Sequence, residues 1–442
     1  MSAYDETLAY LSGLEVSAGW DLKLERMRAA LARRGNPEAR WPALHVAGTN
    51  GKGSTAAMVD AVLTAAGYRT GLYTSPHLVD FTERIRIGGR TIPRETVVES
   101  VAALRADLGA AGIGLTHFEF ATLIAFEWFA RVGIDVGVIE VGLGGRLDAT
   151  NLVHPAATAI TSIAIDHVEY LGHDVGTIAG EKAGILKPGV PLALGAVPEE
   201  AERVIAARAA AVGAPVARVG VDGVLEEAAG GLVFRGPGVR WDGLEIGLPG
   251  AFQRDNAAVA LLTLALAADA FPCRPEAVRA GLAAVRWPGR LAVVRRRPLV
   301  VLDGAHNPAG IATLMRELPG AVGSRPIDLV FAVMADKDWA AMLAPLLPRI
   351  RRAVVTRVGR RGAPPEEVAA ALAGRVVVEA VEDPRVALRT AIARAEPEAA
   401  VLVTGSLFLV GEAYAELERA GGTAGLFQPW QPPGSDGTEA GA

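Results

Sequence analysis

Residues 45–54 read HVAGTNGKGS and narrow the chemistry of this chain further than any other stretch. Its glycines let backbone N–H groups turn around phosphate oxygens, and a helix starting near Gly53 adds the positive end of its dipole. Lys52 would reach the outer phosphates, and the hydroxyl of Ser54 or Thr55 would meet Mg²⁺. The spacing departs from the usual phosphate loop, because Gly53 follows the lysine and the hydroxyl comes one position later. Thr49, Asn50, Gly51, Lys52, Gly53 and Ser54 are therefore the expected cradle for nucleotide phosphates. A plain glycine turn is the competing reading. The apolar strand before the loop and the helical pattern after it argue against that.

Further candidates come after other apolar runs. Ser75, in TSPHL (74–78), offers a hydroxyl to a metal or phosphate, although alone it reads as a Ser-Pro turn. Glu140 ends the run 134–141 and precedes a glycine loop, where ATP-hydrolysing folds keep an acid for Mg²⁺. A solvated carboxylate at a strand end is the plainer alternative. His167 closes a third run behind Ile165 and Asp166, but imidazole is a soft partner for Mg²⁺. Lys182, in EKAGILKPG (181–189), reads on spacing as half of an ion pair. Gln253 and Asn256 lie one helical turn apart, suited to grip one face of a ligand or to cap a helix. Asp303 and His306, in LDGAHNP, mark a second strand–turn–helix junction. With Arg290 they could close a nucleotide from the opposite side, or Asp303 could simply hold the turn.

Two alternations of strand and helix must position these groups. Strands are expected at 44–47, 69–73, 134–141, 157–165 and 190–196, with helices such as 54–66, 119–131 and 198–212 between them, a pattern that implies a parallel sheet. Residues 219–248 read as β-hairpins added to that sheet, with apolar helices after them at 252–270 and 275–284. In RWPGRLAVVRRRP (286–298) five arginines and two prolines interrupt the apolar periodicity. The expectation is a first domain over 1–290, a linker at 291–298 and a smaller Rossmann-like domain over 299–426. That second domain has strands near 299–303, 327–333, 352–356, 375–379 and 399–404. The Pro- and Gly-rich 427–442 is expected to be a disordered tail. The fold class is thus α/β: a phosphate-loop parallel-sheet domain with added hairpins, then a Rossmann-like domain.

Composition sets the outer bounds. At 442 residues two domains are the default. A net charge of −5 gives no footprint for nucleic acid or an anionic membrane. One cysteine, Cys273, excludes internal disulfides and cysteine-based metal clusters. The first residues lack the basic region of a signal peptide, and a cytoplasmic monomer acting on small molecules is the expectation. Lysine occurs at only five positions (23, 52, 182, 187 and 337), and three of them, Lys52, Lys182 and Lys337, lie inside motifs where a compact ammonium or a nucleophilic amine would be needed in place of arginine.

Taken together, HVAGTNGKGS, TSPHL with FTERIR, THFEFAT, EVGLGGRLDATN, IDH, EKAGILKPG, WPGR, LDGAHNP, ADKDW and GSLFLVGE resemble the folylpolyglutamate synthase/dihydrofolate synthase family of Mur ligases. The resemblance spans roughly residues 10–425 and lies in the joint order of segments that are each weak alone. It implies an ATP- and Mg²⁺-dependent ligase that adds L-glutamate to dihydropteroate and to tetrahydrofolate through an acyl phosphate. It also implies roles for residues. Asn256, Arg290 and Asp303 would complete the nucleotide site, and Ser75, Glu140 and His167 would ligate Mg²⁺ in a site of two ions. Lys182 would be carbamylated. The pteroate would lie on Asp21, Leu22, Lys23 and Leu24, on Thr116, His117, Phe118 and Glu119, and on Leu147, Asp148 and Ala149. His306 and Ser406 would face glutamate, with Lys52, Lys182 and His306 as the catalytic side chains. The chain departs from the family pattern at Lys23, where Gly is frequent, and at His117, where another aromatic is usual. Asp148 favours both activities over polyglutamylation alone.

Three rivals are weaker. A cell-wall Mur ligase would need a UDP-binding domain, and only 43 residues precede the strand at Leu44. A nucleotide-regulated switch would not need a second ligand-closing domain. A phosphate-loop kinase leaves the Rossmann-like half unexplained.

Overall fold

The computed structural model describes residues 1–18, 23–419, 426–429 and 431. Eight strands form the first sheet: β1 (Ala43–Ala47), β2 (Thr70–Tyr73), β3 (Ile85–Ile87), β4 (Arg90–Thr91), β5 (Val136–Glu140), β6 (Pro155–Ile160), β7 (Leu192–Leu194) and β8 (Val216–Arg218). Their order is β4-β3-β2-β5-β1-β6-β7-β8, with only β3 running against the others. All five residues of β1 are buried, as a central strand covered on both faces requires.

Side chains alternate between the two faces. Leu44, Leu72 and Val138 join the core under the helices Lys52–Ala65, Gln253–Leu266 and Pro275–Ala284. Ala43, Tyr73 and Ile139 join the opposite core, against Ala3–Ala18, Arg94–Ala110 and His117–Val132. The last of these helices starts on a capping box, in which Thr116 and Glu119 exchange side-chain and backbone bonds, and ends at Gly133.

The register pairs Val46 with Glu140 and Ala47 with Ile160, so β5, β1 and β6 end level with one another. The loops that leave these three strands share one sheet edge, the place where open parallel sheets bind ligands.

Next along the chain, β9 (Val224–Ala228), β10 (Gly231–Gly236) and β11 (Val239–Leu244) make a small antiparallel sheet of their own. The last sheet contains β12 (Ala292–Arg296), β13 (Leu299–Leu302), β14 (Ile327–Phe331), β15 (Ile350–Val355), β16 (Val377–Ala380) and β17 (Ala400–Thr404), in the order β12-β13-β17-β14-β15-β16.

Four expectations change. The hairpins do not extend the first sheet: Phe234 stacks on Trp241 and both sink into the core beside Gln253–Leu266. The linker 291–298 is largely a strand, because β12 satisfies the free backbone edge of β13. The strand expected over 157–165 stops at Ile160, since Thr161 and Ser162 turn to hold the phosphate loop. The tail does not begin at 427: Phe427 packs on Arg86, and Thr91 N–H donates to the Gln428 carbonyl at 2.9 Å.

Leu44 is fully buried in the central strand. Leu44→Ala should lower stability by about 3 kcal/mol in chemical denaturation; a change below about 1 kcal/mol would show that this core relaxes around the gap.

Candidate active site

The phosphate loop is tied down from both sides. Asn50 N–H donates to Ser162 Oγ at 3.0 Å, while the Asn50 carbonyl accepts from Thr161 Oγ1 at 2.7 Å and Ser162 Oγ at 3.0 Å. Thr49 Oγ1 bonds the backbone of Ala164. Gly51 has φ +86°, and a Cβ there would lie 2.2 Å from Asn256 Oδ1, so the turn admits only glycine. Gly53 and Ser54 sit buried in the first turn of the helix Lys52–Ala65. Asn256 is buried and donates to Gln253 Oε1 at 2.8 Å.

Two lysines share one oxygen. Lys52 Nζ donates to the carbonyls of Gly48 and Thr49, each at 3.1 Å, and Lys182 Nζ donates to the same Gly48 carbonyl at 2.9 Å. Burial, reinforced by the Lys52 charge, pushes the Lys182 amine down to about 7. The ion pair expected at Lys182 is made instead by its neighbour Glu181, with Arg146.

Glu140 and Ser75 meet directly, Ser75 N–H donating to Glu140 Oε2 at 3.1 Å. Burial pushes the Glu140 carboxyl up, against the pull of Lys52, the Ser75 N–H, Arg290 and Arg86. His167 caps the short helix Val168–Leu171 in the left-handed region, φ +50°. Burial brings its ring down to about 3, leaving it neutral at physiological pH. It shares one niche with Lys52 and Lys182, and a larger cavity with Ser75. Among the described residues no three His, Cys, Asp or Glu side chains are grouped closely enough to hold a metal by themselves.

That larger cavity, about 630 Å³, opens between the two sheet edges. The first domain contributes Lys23, Phe118, His117 and the loop Leu147–Ala149 to its wall. Thr116 and Glu119 also reach it while holding the helix start, and Glu119 pairs with Arg26. Asp148 is almost wholly buried; its carboxylate accepts from Leu143 N–H at 2.8 Å and Thr150 N–H at 3.0 Å. Its charge thus serves to shape the glycine loop. Leu24 caps the helix Glu25–Arg33 and does not line the cavity, while Asp21 and Leu22 lie outside the described residues.

The second domain contributes the carboxyl ends of three neighbouring strands, β13, β17 and β14. They bring His306, Ser406 and Lys337 to the cavity. His306 Nδ1 lies 2.8 Å from the Gly304 carbonyl, which can only accept, so Nδ1 carries the proton and Nε2 keeps its lone pair. Asp303 takes the turn-holding role: its oxygens accept from Leu291 N–H at 2.8 Å and Ala305 N–H at 2.9 Å. Arg290 stands beside it, close enough to Gly304 that a Cβ there would lie 2.5 Å from Nη1.

Asp166 joins the domains. It pairs with Lys337 and accepts from Asn307 Nδ2 at 2.8 Å, and Asn307 also bonds Asn50 of the phosphate loop. Burial pushes the Asp166 carboxyl up, but the groups facing it, His167 and His306 when their rings are protonated and the hydrogen-bonded Lys337 throughout, outweigh it and hold the carboxyl low.

Two family models match the chain. Residues 46–264 match the Mur ligase middle domain, and 289–407 match the Mur ligase, glutamate ligase domain. The dihydrofolate synthase/folylpolyglutamate synthase of Mycobacterium tuberculosis is 38% identical over 435 residues, covering 89% of each chain. The chain belongs to the folylpolyglutamate synthase/dihydrofolate synthase family of Mur ligases. Among solved family structures, Escherichia coli FolC in complex with DHPP and ADP superposes with a TM-score of 0.86 at 35% identity, covering 94% of this chain and 98% of that one. The Yersinia pestis bifunctional enzyme complexed with AMPPNP and Mn ion gives 0.84 at 36% identity, covering 95% and 98%.

Within this family member, the interdomain contacts of Asp166, Asn307 and Lys337 are what residue-by-residue reading passed over. The scarcity of lysine did flag position 337, and LDGAHNP contains the asparagine. Asp166→Ala leaves the buried Lys337 ammonium with only Asp336, at 4.0 Å, as a counter-charge, a loss of about 3 kcal/mol. Hydrogen exchange should accelerate at 303–310 and 334–340 but not in β1 or β5, and Lys337→Met in the same chain should restore part of the protection. Unchanged exchange in the single variant would mean that the contact does not hold the domains together.

Proposed function

We propose that this protein is an ATP-dependent ligase that adds L-glutamate to dihydropteroate and to the γ-carboxylate of tetrahydrofolate. One observation carries the reading: two sheet edges converge on two adjoining cavities that share His167 and His306, the smaller lined by Gly48, Thr49 and Lys52 of the phosphate loop and the larger by Ser406 and Lys337. DHPP and ADP, the ligands of the E. coli relative, supply the chemistry such a cavity needs. His117, Phe118 and the Leu147–Ala149 loop offer an aromatic and apolar wall for the pteroate ring system, with Lys23 at its rim and Thr116 and Glu119 bracing the helix behind it.

The residues fit a hard divalent cation. Ser75 and Glu140 provide oxygen donors side by side, and the neutral His167 ring keeps a nitrogen lone pair. Mg²⁺ held there would offset charge on the phosphate oxygens. The nucleotide would take the N–H groups of 49–54, with Asn256 behind Gly51 and Arg290 at the domain junction.

In the first step a folate carboxylate attacks the γ-phosphorus of ATP and ADP departs. Lys52 supplies an ammonium on the loop that would stabilise charge on the transferring phosphoryl group. In the second step the glutamate amine attacks the acyl carbon and inorganic phosphate leaves. His306 lines the cavity, and its unprotonated Nε2, 3.8 Å from Asp166 Oδ2, is suited to take the amine's proton. Both domains enclose the acyl phosphate and limit its hydrolysis. A monomer is the working unit this reading assumes. ATP as co-substrate supports a cytoplasmic location.

Lys182 is the second lever. An ammonium there repels Lys52 across the shared Gly48 carbonyl, whereas a carbamate would attract it. Carbon dioxide adds to a neutral amine, and an amine lowered to about 7 is substantially neutral at pH 8 and mostly charged at pH 6. Carbon-13 NMR with labelled bicarbonate should show a lysine carbamate that grows over this range and vanishes in Lys182→Arg. No signal at pH 8 would rule the modification out.

The functional reading is tested by ADP release from the purified protein with ATP, Mg²⁺ and L-glutamate, with dihydropteroate and tetrahydrofolate offered separately. Release with both acceptors is expected. Release with tetrahydrofolate alone would restrict the protein to polyglutamylation, and silence with both would overturn the reading.

A further inference from the structure

Arg86, on β3, faces away from the folate cavity and takes no part in the mechanism above. It is 3% exposed, and its guanidinium lies between two rings, 4.9 Å from the centroid of Trp287 and 4.2 Å from that of Phe427. Its Nε and Nη2 find no hydrogen-bond partner among the described residues, so the rings set its orientation. The three residues line a small cavity of about 40 Å³ together with Gly53, Ser75 and Glu140. Trp287 presses on the phosphate-loop helix so closely that a Cβ on Gly53 would lie 2.6 Å from its ring.

Phe427 arrives from the far end of the chain. Leu426 packs on the second domain's core, whereas Gln428 accepts from Thr91 N–H at 2.9 Å and Pro429 bridges Thr91 on β4 of the first. Four residues therefore touch both domains and place an aromatic ring on the wall of the nucleotide side. A planar guanidinium stacked on two faces keeps its charge in one place, and a charge fixed in a buried cavity acts strongly on the acid beside it. Arg86 is one of the cations that draw Glu140 toward its ionised form.

We propose that residues 426–429 are a working part of the ligase site: Phe427 positions Arg86 against Trp287, and that stack fixes the nucleotide side of the cavity around Gly53 and Glu140. Phe427 and Arg86 are positioning residues, acting through their neighbours. The proposal rests on the ligase reading, and its test separates the two.

Titration calorimetry with ADP and Mg²⁺, without folate, measures binding independently of turnover. No heat from the unaltered protein would overturn the nucleotide reading itself. If the unaltered protein binds, Phe427→Ala should bind about 5- to 10-fold more weakly, the loss expected for one partly buried cation–π contact. KM for ATP should rise by the same factor while KM for the folate acceptor stays put. Phe427→Tyr should behave as the parent, and Arg86→Lys, which keeps the charge but not the plane, should match Phe427→Ala. Parental ADP affinity in Phe427→Ala would overturn the proposal. So would an equal rise in both KM values with a lowered melting temperature, because that pattern marks a merely structural contact.

Discussion

Asp166 is the point on which the architecture turns. It stands past β6 of the first sheet, yet its strongest partners, Asn307 and Lys337, belong to the second domain. Asn307 at the same time caps the helix Pro308–Val322 and bonds the phosphate-loop residue Asn50. One carboxylate thus links a helix start, a lysine and the nucleotide cradle. A buried charge of this kind is costly unless it is paired and hydrogen-bonded, and here it is both. The geometry of the cavity depends on that contact, because it sets how far one sheet edge stands from the other.

A second constraint is electrostatic. Lys52, Lys182, Arg86 and Arg290 surround the loop and Glu140, a concentration of positive charge in a protein whose net charge is −5. Two ammoniums on the Gly48 carbonyl would be an unfavourable arrangement in a purely structural core. They make sense where polyanions bind and leave.

Most of the scaffold was legible. Strands buried on both faces read as continuous apolar runs, so β1, β5, β14 and β17 fell where expected, and the residues after them marked the site. The misreadings have local causes. An edge strand such as β12 buries little and leaves a faint apolar signal, and hairpin patterning does not say which sheet a hairpin joins. Asp303, read as either a turn holder or a ligand contact, bonds its own turn, and Asp148, expected against the pteroate, bonds its own loop while lining the cavity. Asp166 was overlooked beside His167 because its partners lie 141 and 171 residues away. Contacts at that separation leave no periodicity to read.

The cavity takes walls from both domains, and this has a thermodynamic consequence. Were the domains to part, the two sets of lining residues would no longer face each other, so the cavity would be complete only in the closed population. Apparent affinity for each substrate is then its intrinsic affinity scaled by that fraction. Whatever raises the fraction, including a nucleotide held by both domains, tightens the other two substrates, and each of them tightens the nucleotide by the same factor. Substrates bound against different walls are coupled in this way through a single opening equilibrium.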